Sequence, residues 1–217
     1  MSDIFDEVDE EVRREQFKKL WERYGNLVVV LAFLIVAAVG GWRFYQYWQD
    51  KKAAEAGAQF TAAALLAEQG KHEEAEKAFA RVSAEGAAGY RVLARLREAA
   101  ELSARDPKAA VAVYDDIAAS SSTGQPLKDF AAVRAAMLLV DSAPLADITR
   151  RLEPISGAGA PFRHSARELL AFAAWKAGDT TAMRKWTTLI LADVETPAAL
   201  RQRVEVLMSL AGESGQG

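Results

Sequence analysis

Cysteine is absent from this 217-residue chain, asparagine occurs once (Asn26) and histidine twice (His72 and His164). Without cysteine there is no disulfide framework and no thiolate metal site. Two histidines far apart in sequence do not make a His-rich metal cluster, so no metal or cofactor is expected. Neither charge dominates: 27 Lys and Arg stand against 30 Asp and Glu, for a formal net charge of −3. A nucleic-acid footprint needs a basic face, and no nucleic-acid partner is expected. The imbalance sits at the front, where residues 1–26 carry eight acidic and five basic side chains; the remaining residues hold 22 of each. That body has no field with which to steer a charged polymer.

Catalytic patterns are missing as well. Ser120-Ser-Ser122 has no histidine near it in sequence and reads as a loop. Asp115 and Asp116 are adjacent, so on a helix they diverge by about 100° and do not share a site. Gly157-Ala-Gly159 is too short to cradle a phosphate. Neither an enzyme nor a small-molecule substrate is expected; an enzyme would need a site assembled only by folding.

Alanine, in contrast, occurs 44 times, which favours helix. The first strong feature is a run of 19 residues without a charge, Tyr24 to Trp42. As a helix it is about 28 Å long, close to the thickness of a bilayer core. Aromatic residues flank it on both sides: Trp21 and Tyr24 before, Trp42, Tyr45 and Trp48 after, with Arg43 placed to snorkel outward. A buried core helix needs no such belts, and a cleaved signal peptide would not have an n-region of 20-odd residues that is acidic first. The pattern is that of a single uncleaved anchor in a lipid bilayer. Five Lys and Arg precede it (Arg13, Arg14, Lys18, Lys19, Arg23) and three follow (Arg43, Lys51, Lys52), which favours a cytoplasmic amino end. Before the anchor, Phe17, Leu20, Trp21 and Tyr24 share a helix face, either lying on lipid or forming a cytosolic docking stub. Ala37 and Gly41 form a small-xxx-small pair, a weak cue for helix packing in the bilayer.

Beyond residue 53 no strand-like alternation of useful length occurs. Turns recur at Gln69-Gly70-Lys71-His72, Arg105-Asp106-Pro107, Ser142-Ala143-Pro144 and Gly178-Asp179-Thr180. With Gly70, Arg105, Ser142 and Gly178 as markers, the spacings are 35, 37 and 36 residues, a period that suits stacked helix pairs. Ala75 and Phe79 sit five and nine residues past the first marker, and Ala110 and Tyr114 repeat those offsets. Met183 and Trp186 follow the fourth marker at five and eight; the third unit is degenerate. Asp106-Pro107 and Thr196-Pro197 read as an N-cap followed by proline at the first helical position. The last helix spans roughly 197–211, with Leu200, Val204, Leu207 and Met208 inward and a polar outer face suited to a cap. The expected fold is all-α: one transmembrane helix, then a tetratricopeptide-like solenoid of about four helix pairs plus a capping helix. The expected segments are a tail and juxtamembrane helix over 1–23, the anchor with its belts over 24–48, the repeat domain over 49–211 and a tail over 212–217.

The run Glu7-Val-Asp-Glu-Glu-Val-Arg-Arg14, the stretch Leu20-Trp-Glu-Arg-Tyr-Gly25, one anchor and a helix-pair array together resemble the ancillary Sec-translocon subunit family of the bacterial inner membrane, which shares its repeat class with a cell-division coordinator. That resemblance implies a single-pass inner-membrane protein with a cytoplasmic amino end and periplasmic repeats. It implies partners among translocon subunits, periplasmic chaperones and emerging client chains. A scaffold for cell-envelope or cell-division machinery is the alternative within the binding class. Repeat arrays that clamp a peptide carboxylate use asparagine and lysine, and Asn26 lies at the membrane, so any groove must use arginine, aromatic and apolar surface. The candidates are Tyr90, Arg91 and Arg97 on one helix, beside Arg95, and Phe130 and Arg134 on another. Their competing role is a solvated face paired with Glu98 and Glu101.

Overall fold

The computed structural model describes the backbone of residues 3–214 and the side chains of Arg14, Lys18 and residues 21–212. Most of the Glu7–Arg14 run, Phe17, Leu20 and residues 215–217 of the tail therefore lie, as side chains or entirely, outside the described residues. Among those described, regular structure is helical only. The helices are α1 Asp3–Glu68, α2 His72–Glu85, α3 Ala88–Leu102, α4 Pro107–Ala119, α5 Gln125–Leu139, α6 Leu145–Leu152, α7 Arg163–Lys176, α8 Thr180–Ala192 and α9 Ala198–Ser214, with a 3-10 turn at Glu153–Ile155. The chain divides into two compact units, Met1–Ala54 and Glu55–Gly217.

In the first unit, α1 contains an 18-residue window of mean hydropathy 2.3, none of it buried. This is a helix long and apolar enough to cross a membrane, and it exposes Leu, Ile, Val and Phe around its whole circumference. Lipid is the medium in which such a surface carries no penalty. The aromatic flanks are tied to cations: the Arg23 guanidinium stands 5.7 Å from the Tyr24 ring and the Lys52 ammonium 3.7 Å from the Trp48 ring. Gln49 donates to the Tyr45 hydroxyl at 2.7 Å. Trp42 and Arg43 are exposed. Around Gly41, a side chain at the glycine would meet nothing within 4 Å.

In the second unit, each helix packs chiefly on its sequence neighbours, with further contacts between α5 and α7 and between α7 and α9. That is the short-range pattern of a repeat stack. Gly70 and Gly178 close helices in the same way. Both have a positive φ, 76° and 72°, which a side chain would strain. In each, the next residue's N–H reaches back to a carbonyl of the last turn: Lys71 to Leu66 and Asp179 to Ala174, both at 2.9 Å. The capping aspartates do the opposite job. Asp106 accepts from Ala109 N–H at 3.0 Å and Asp179 from Ala182 N–H at 2.8 Å.

The recurring residues form the core. Ala75, Phe79, Ala110, Tyr114, Met183 and Trp186 are all buried. The small residue lets paired helices approach, and the aromatic ring fills the space beyond: Phe79 packs edge-on against Phe60, with ring centroids 5.2 Å apart. Burial of one such ring stabilises by about 2–3 kcal/mol. The third unit is shifted rather than degenerate. Helices α2, α4 and α8 begin two residues after their markers, whereas Pro144 delays α6 to the third. The buried pair is displaced by the same single residue, to Ile148 and Leu152.

Three details differ from the sequence expectation. Thr196 does not cap α9, which begins at Ala198, after Pro197 rather than with it; its hydroxyl donates to Ile190 O at 2.8 Å. Met208 is 41% exposed rather than inward. Helix α9 continues to Ser214, into the expected tail, and its outer face is not simply polar. Arg201 turns back onto the carbonyls of Leu191 and Asp193, finishing α8. Val206 and Leu210, like Met208, are exposed apolar side chains among the polar ones.

Candidate interaction site

The proposed groove residues fall into separate groups within the second unit. Tyr90 lies over α1: its hydroxyl would stand 2.8 Å from a side chain at Gly57, and its ring is 5.8 Å from Phe60. Arg97, two turns further along α3 on the same side, is 5.6 Å from the Phe79 ring and pairs with Glu101 at 3.8 Å. Arg91 is on another side of α3, exposed, with Arg95 one turn later. Phe130 is half-buried, its ring 5.8 Å from Phe162. Arg134 reaches the Tyr114 hydroxyl only at 3.5 Å. The structure thus brings Tyr90 and Arg97 to the α1–α2 side and Arg91 with Arg95 to a polar pocket, and it turns Phe130 and Arg134 towards α7 and α4.

Both histidines are occupied. His72 starts α2, and its Nδ1 is 2.7 Å from Glu101, so this exposed side chain bridges two helices. His164 is in the first turn of α7, with Nδ1 3.2 Å from the Thr196 hydroxyl. Burial, reinforced by the neighbouring Arg163, holds its pKa below the ordinary value.

Electrostatics bind one repeat to the next. Arg151 grips Asp115 with both terminal nitrogens, while the adjacent Asp116 faces Arg95 at 3.3 Å, so the two aspartates diverge as expected. Lys176 pairs with Asp141 at 3.0 Å, Lys185 with Glu153 at 3.0 Å and Arg203 with Glu168 at 2.5 Å. Apart from Arg95–Asp116, each of these pairs is separated in sequence by 32 to 36 residues, about one repeat. Exposed pairs of this kind add little stability; they set the register between equivalent helices.

The densest network lies where α7, α8 and α9 meet. Asp193 accepts from Arg163 Nε at 2.7 Å, from Arg167 Nη1 at 2.9 Å and from Glu195 N–H at 3.1 Å. The Arg163 guanidinium, first among these, holds its carboxyl well below the usual range. Arg167, 5% exposed, also donates to Ser156 O at 2.8 Å and Leu189 O at 3.2 Å. Elsewhere, burial pushes the Glu98 carboxyl up, against a hydrogen bond from Ser83 that pulls it down.

One apolar surface escaped the sequence reading. Phe172 and Trp175, edge to face at 6.2 Å on α7, line two neighbouring clefts. The first, about 620 Å³, continues over Val140, Met183 and Lys176; the second, about 500 Å³, runs along Val206 and Leu210 of α9. Phe172 and Trp175 are 40% and 36% exposed and Val206 57%. The signal was present as apolar residues at helical spacing off the buried faces of α7 and α9. Among the described residues no group of three or more His, Asp or Glu is arranged to hold a metal.

A helix-pair stack with apolar and arginine-lined recesses is a binding architecture, and the comparisons agree with it. A family model described as "Tetratricopeptide repeat-like domain" matches residues 18–194. The chain belongs to that family. It is also 26% identical over 152 residues to a protein of Haemophilus influenzae named "Ancillary SecYEG translocon subunit", covering 69% of this chain and 74% of that one. No solved structure matches it. This tetratricopeptide repeat-like protein is thus an interaction module carrying the apolar helix of a membrane protein.

Proposed function

We propose that the chain is a single-pass accessory subunit of a Sec translocon, with its amino end in the cytoplasm and its repeats in the periplasm, where they engage emerging polypeptides and the chaperones that receive them. The likeness to the ancillary SecYEG subunit carries this reading. The exposed apolar helix and the five-to-three excess of Lys and Arg on its amino side support it. Anchoring keeps the repeats at high effective concentration beside the channel, so weak contacts suffice. The span 24–48 would be the anchor, Trp21, Tyr24, Trp42, Arg43, Tyr45 and Trp48 its interfacial residues, and 49–211 the binding domain.

A photocrosslinking residue in place of Phe172 or Arg91, activated in whole cells, tests the partner. Adducts with Sec channel subunits are expected. Adducts with cell-wall or division proteins alone would overturn the proposal in favour of an envelope scaffold. The cysteine-free sequence makes topology directly readable: Ser142→Cys should react with a membrane-impermeant maleimide added outside the inner membrane. Protection of that thiol until the inner membrane is opened would reverse the orientation.

A further inference from the structure

The two clefts that share Phe172 and Trp175 have a lining suited to hydrocarbon rather than to a chain of amides. Beyond the shared pair, Val140, Met183 and Ala211 line the first, and Ala199, Val206 and Leu207 line the second. The polar side chains among their walls are exposed ones: Lys176, Asp141 and Thr180 at the first, Gln202 and Arg203 at the second. They edge the clefts and leave the floor apolar. The walls come mainly from α7, α8 and α9, whose backbone amides are bonded within the helices. An extended peptide laid here brings an N–H and a C=O with every residue and finds few partners for them, which is costly. An acyl chain brings none. The charges at the edges are matched. Lys176 Nζ stands 3.0 Å from Asp141, whose side chain is 90% exposed, and Arg203 pairs with Glu168. The clefts therefore meet solvent beside paired opposite charges, not beside a field of one sign.

We propose that these clefts seat an acyl chain of a zwitterionic membrane phospholipid. The hydrocarbon covers Phe172, Trp175 and Val206, and every methylene buried there adds to the binding. The headgroup's phosphate meets Lys176 and its ammonium meets Asp141, each a charge-assisted contact. A purely anionic headgroup would gain Lys176 only against the repulsion of Asp141. Volumes of 620 and 500 Å³ fall in the range of small-ligand sites. The source of the ligand follows from the chain itself. It carries a helix apolar and long enough to cross a bilayer, and that tether makes lipid the apolar ligand of highest effective concentration. The inference rests on the anchor and does not involve the translocon.

The test uses the full chain in vesicles of phosphatidylethanolamine and phosphatidylcholine, doped with a phosphatidylethanolamine that carries a diazirine on one acyl chain. Adducts formed on illumination are mapped by tandem mass spectrometry. Labelling is expected on α7 and α9 as well as on the span 24–48, and not around Leu93 of α3, which is about as exposed as Phe172. Phe172→Gln and Val206→Gln should each lower the labelling of α7 and α9 by about threefold or more. Val206 is the more exposed of the two, so its variant should keep the circular dichroism of the parent. Leu93→Gln should leave the labelling unchanged. The same reactive chain on phosphatidylglycerol should label the two helices less. Adducts confined to the anchor, equal yield around Leu93, undiminished labelling in Val206→Gln or equal labelling from phosphatidylglycerol would overturn the proposal. A dimer in native mass spectrometry that Val206→Gln abolishes would overturn it in favour of a second copy of the chain. The anchor's adducts separate the two failures: their absence removes the membrane reading, whereas their presence without adducts on α7 and α9 removes only the lipid site. Arg91, on α3, remains the reporter for channel subunits.

Discussion

Replacement of Arg167 by methionine isolates the junction that closes the carboxyl end of the stack. Methionine keeps the apolar stem and roughly the length, so packing within α7 survives. Three donated bonds are lost: to Ser156 O, Leu189 O and Asp193. The first is fully buried, and hydrogen bonds from a charged donor contribute about 1.5–3 kcal/mol each where solvent is excluded. The other two are partly buried, and Asp193 keeps Arg163, so the sum is well below three full bonds. A loss of about 2–4 kcal/mol follows, equivalent to a fall in melting temperature of about 5–15 °C for a chain of this size. Circular dichroism at 222 nm on the detergent-solubilised protein reads it directly, and hydrogen exchange should show α8 and α9 opening first. A melting temperature within about 2 °C of the parent would refute the reasoning, because it would mean that the guanidinium recovers from water all that it gains from the three acceptors.

Other expected outcomes follow from single contacts. Gly57→Ala gains about 0.5–1 kcal/mol of helix propensity but places its methyl 2.8 Å from the Tyr90 hydroxyl and 3.2 Å from the ring carbon that bears it; the substitution should be better tolerated in a Tyr90→Phe background, where only the ring contact remains, than in the parent, which a double-mutant cycle in urea measures. Stability should fall on acidification. Asp193 has a folded pKa below its unfolded one, so its contribution is present above the ordinary carboxylate range, begins to fall as pH enters that range and is gone only well below it. His164, also depressed, adds a loss as pH falls through the usual histidine range, and Glu98, raised, opposes both by relaxing as it protonates. Urea midpoints should therefore decline between neutral pH and about pH 2, and Asp193→Asn should flatten the part of that decline below about pH 4. Alkaline carbonate should leave the full chain in the membrane pellet, whereas deletion of residues 1–48 should release a helical protein into the supernatant; release of the full chain would refute the anchor.

Much of this architecture was legible in the residues. An uncharged run long enough for a bilayer needs no tertiary information, because lipid, not the rest of the chain, is its solvent. The 35–37-residue period was legible too, since each helix pair meets the same neighbours and so repeats the same small and aromatic residues at the same offsets. The third unit looked degenerate because offsets were counted from the turn, while burial follows the first helical residue, which Pro144 moved by one. Thr196 was misassigned because a Thr-Pro pair predicts an N-cap from local chemistry alone, and here the hydroxyl had a better acceptor in Ile190 O.

What only the tertiary structure decided are the encounters between surfaces. The pairs Asp115–Arg151, Asp141–Lys176 and Glu168–Arg203 join residues one repeat apart, and nothing in a charge pattern says which of 22 cations meets which of 22 anions. The same is true of Phe172 and Trp175 beside α9, of the Asp193 junction, and of Arg91 and Arg95 facing the serines of a distant loop. Periodicity determines which side of a helix is buried, because burial depends on a residue's own neighbours along the helix. The composition of a recess depends on which faces two or three helices turn towards one another, and that is fixed only when the stack has closed.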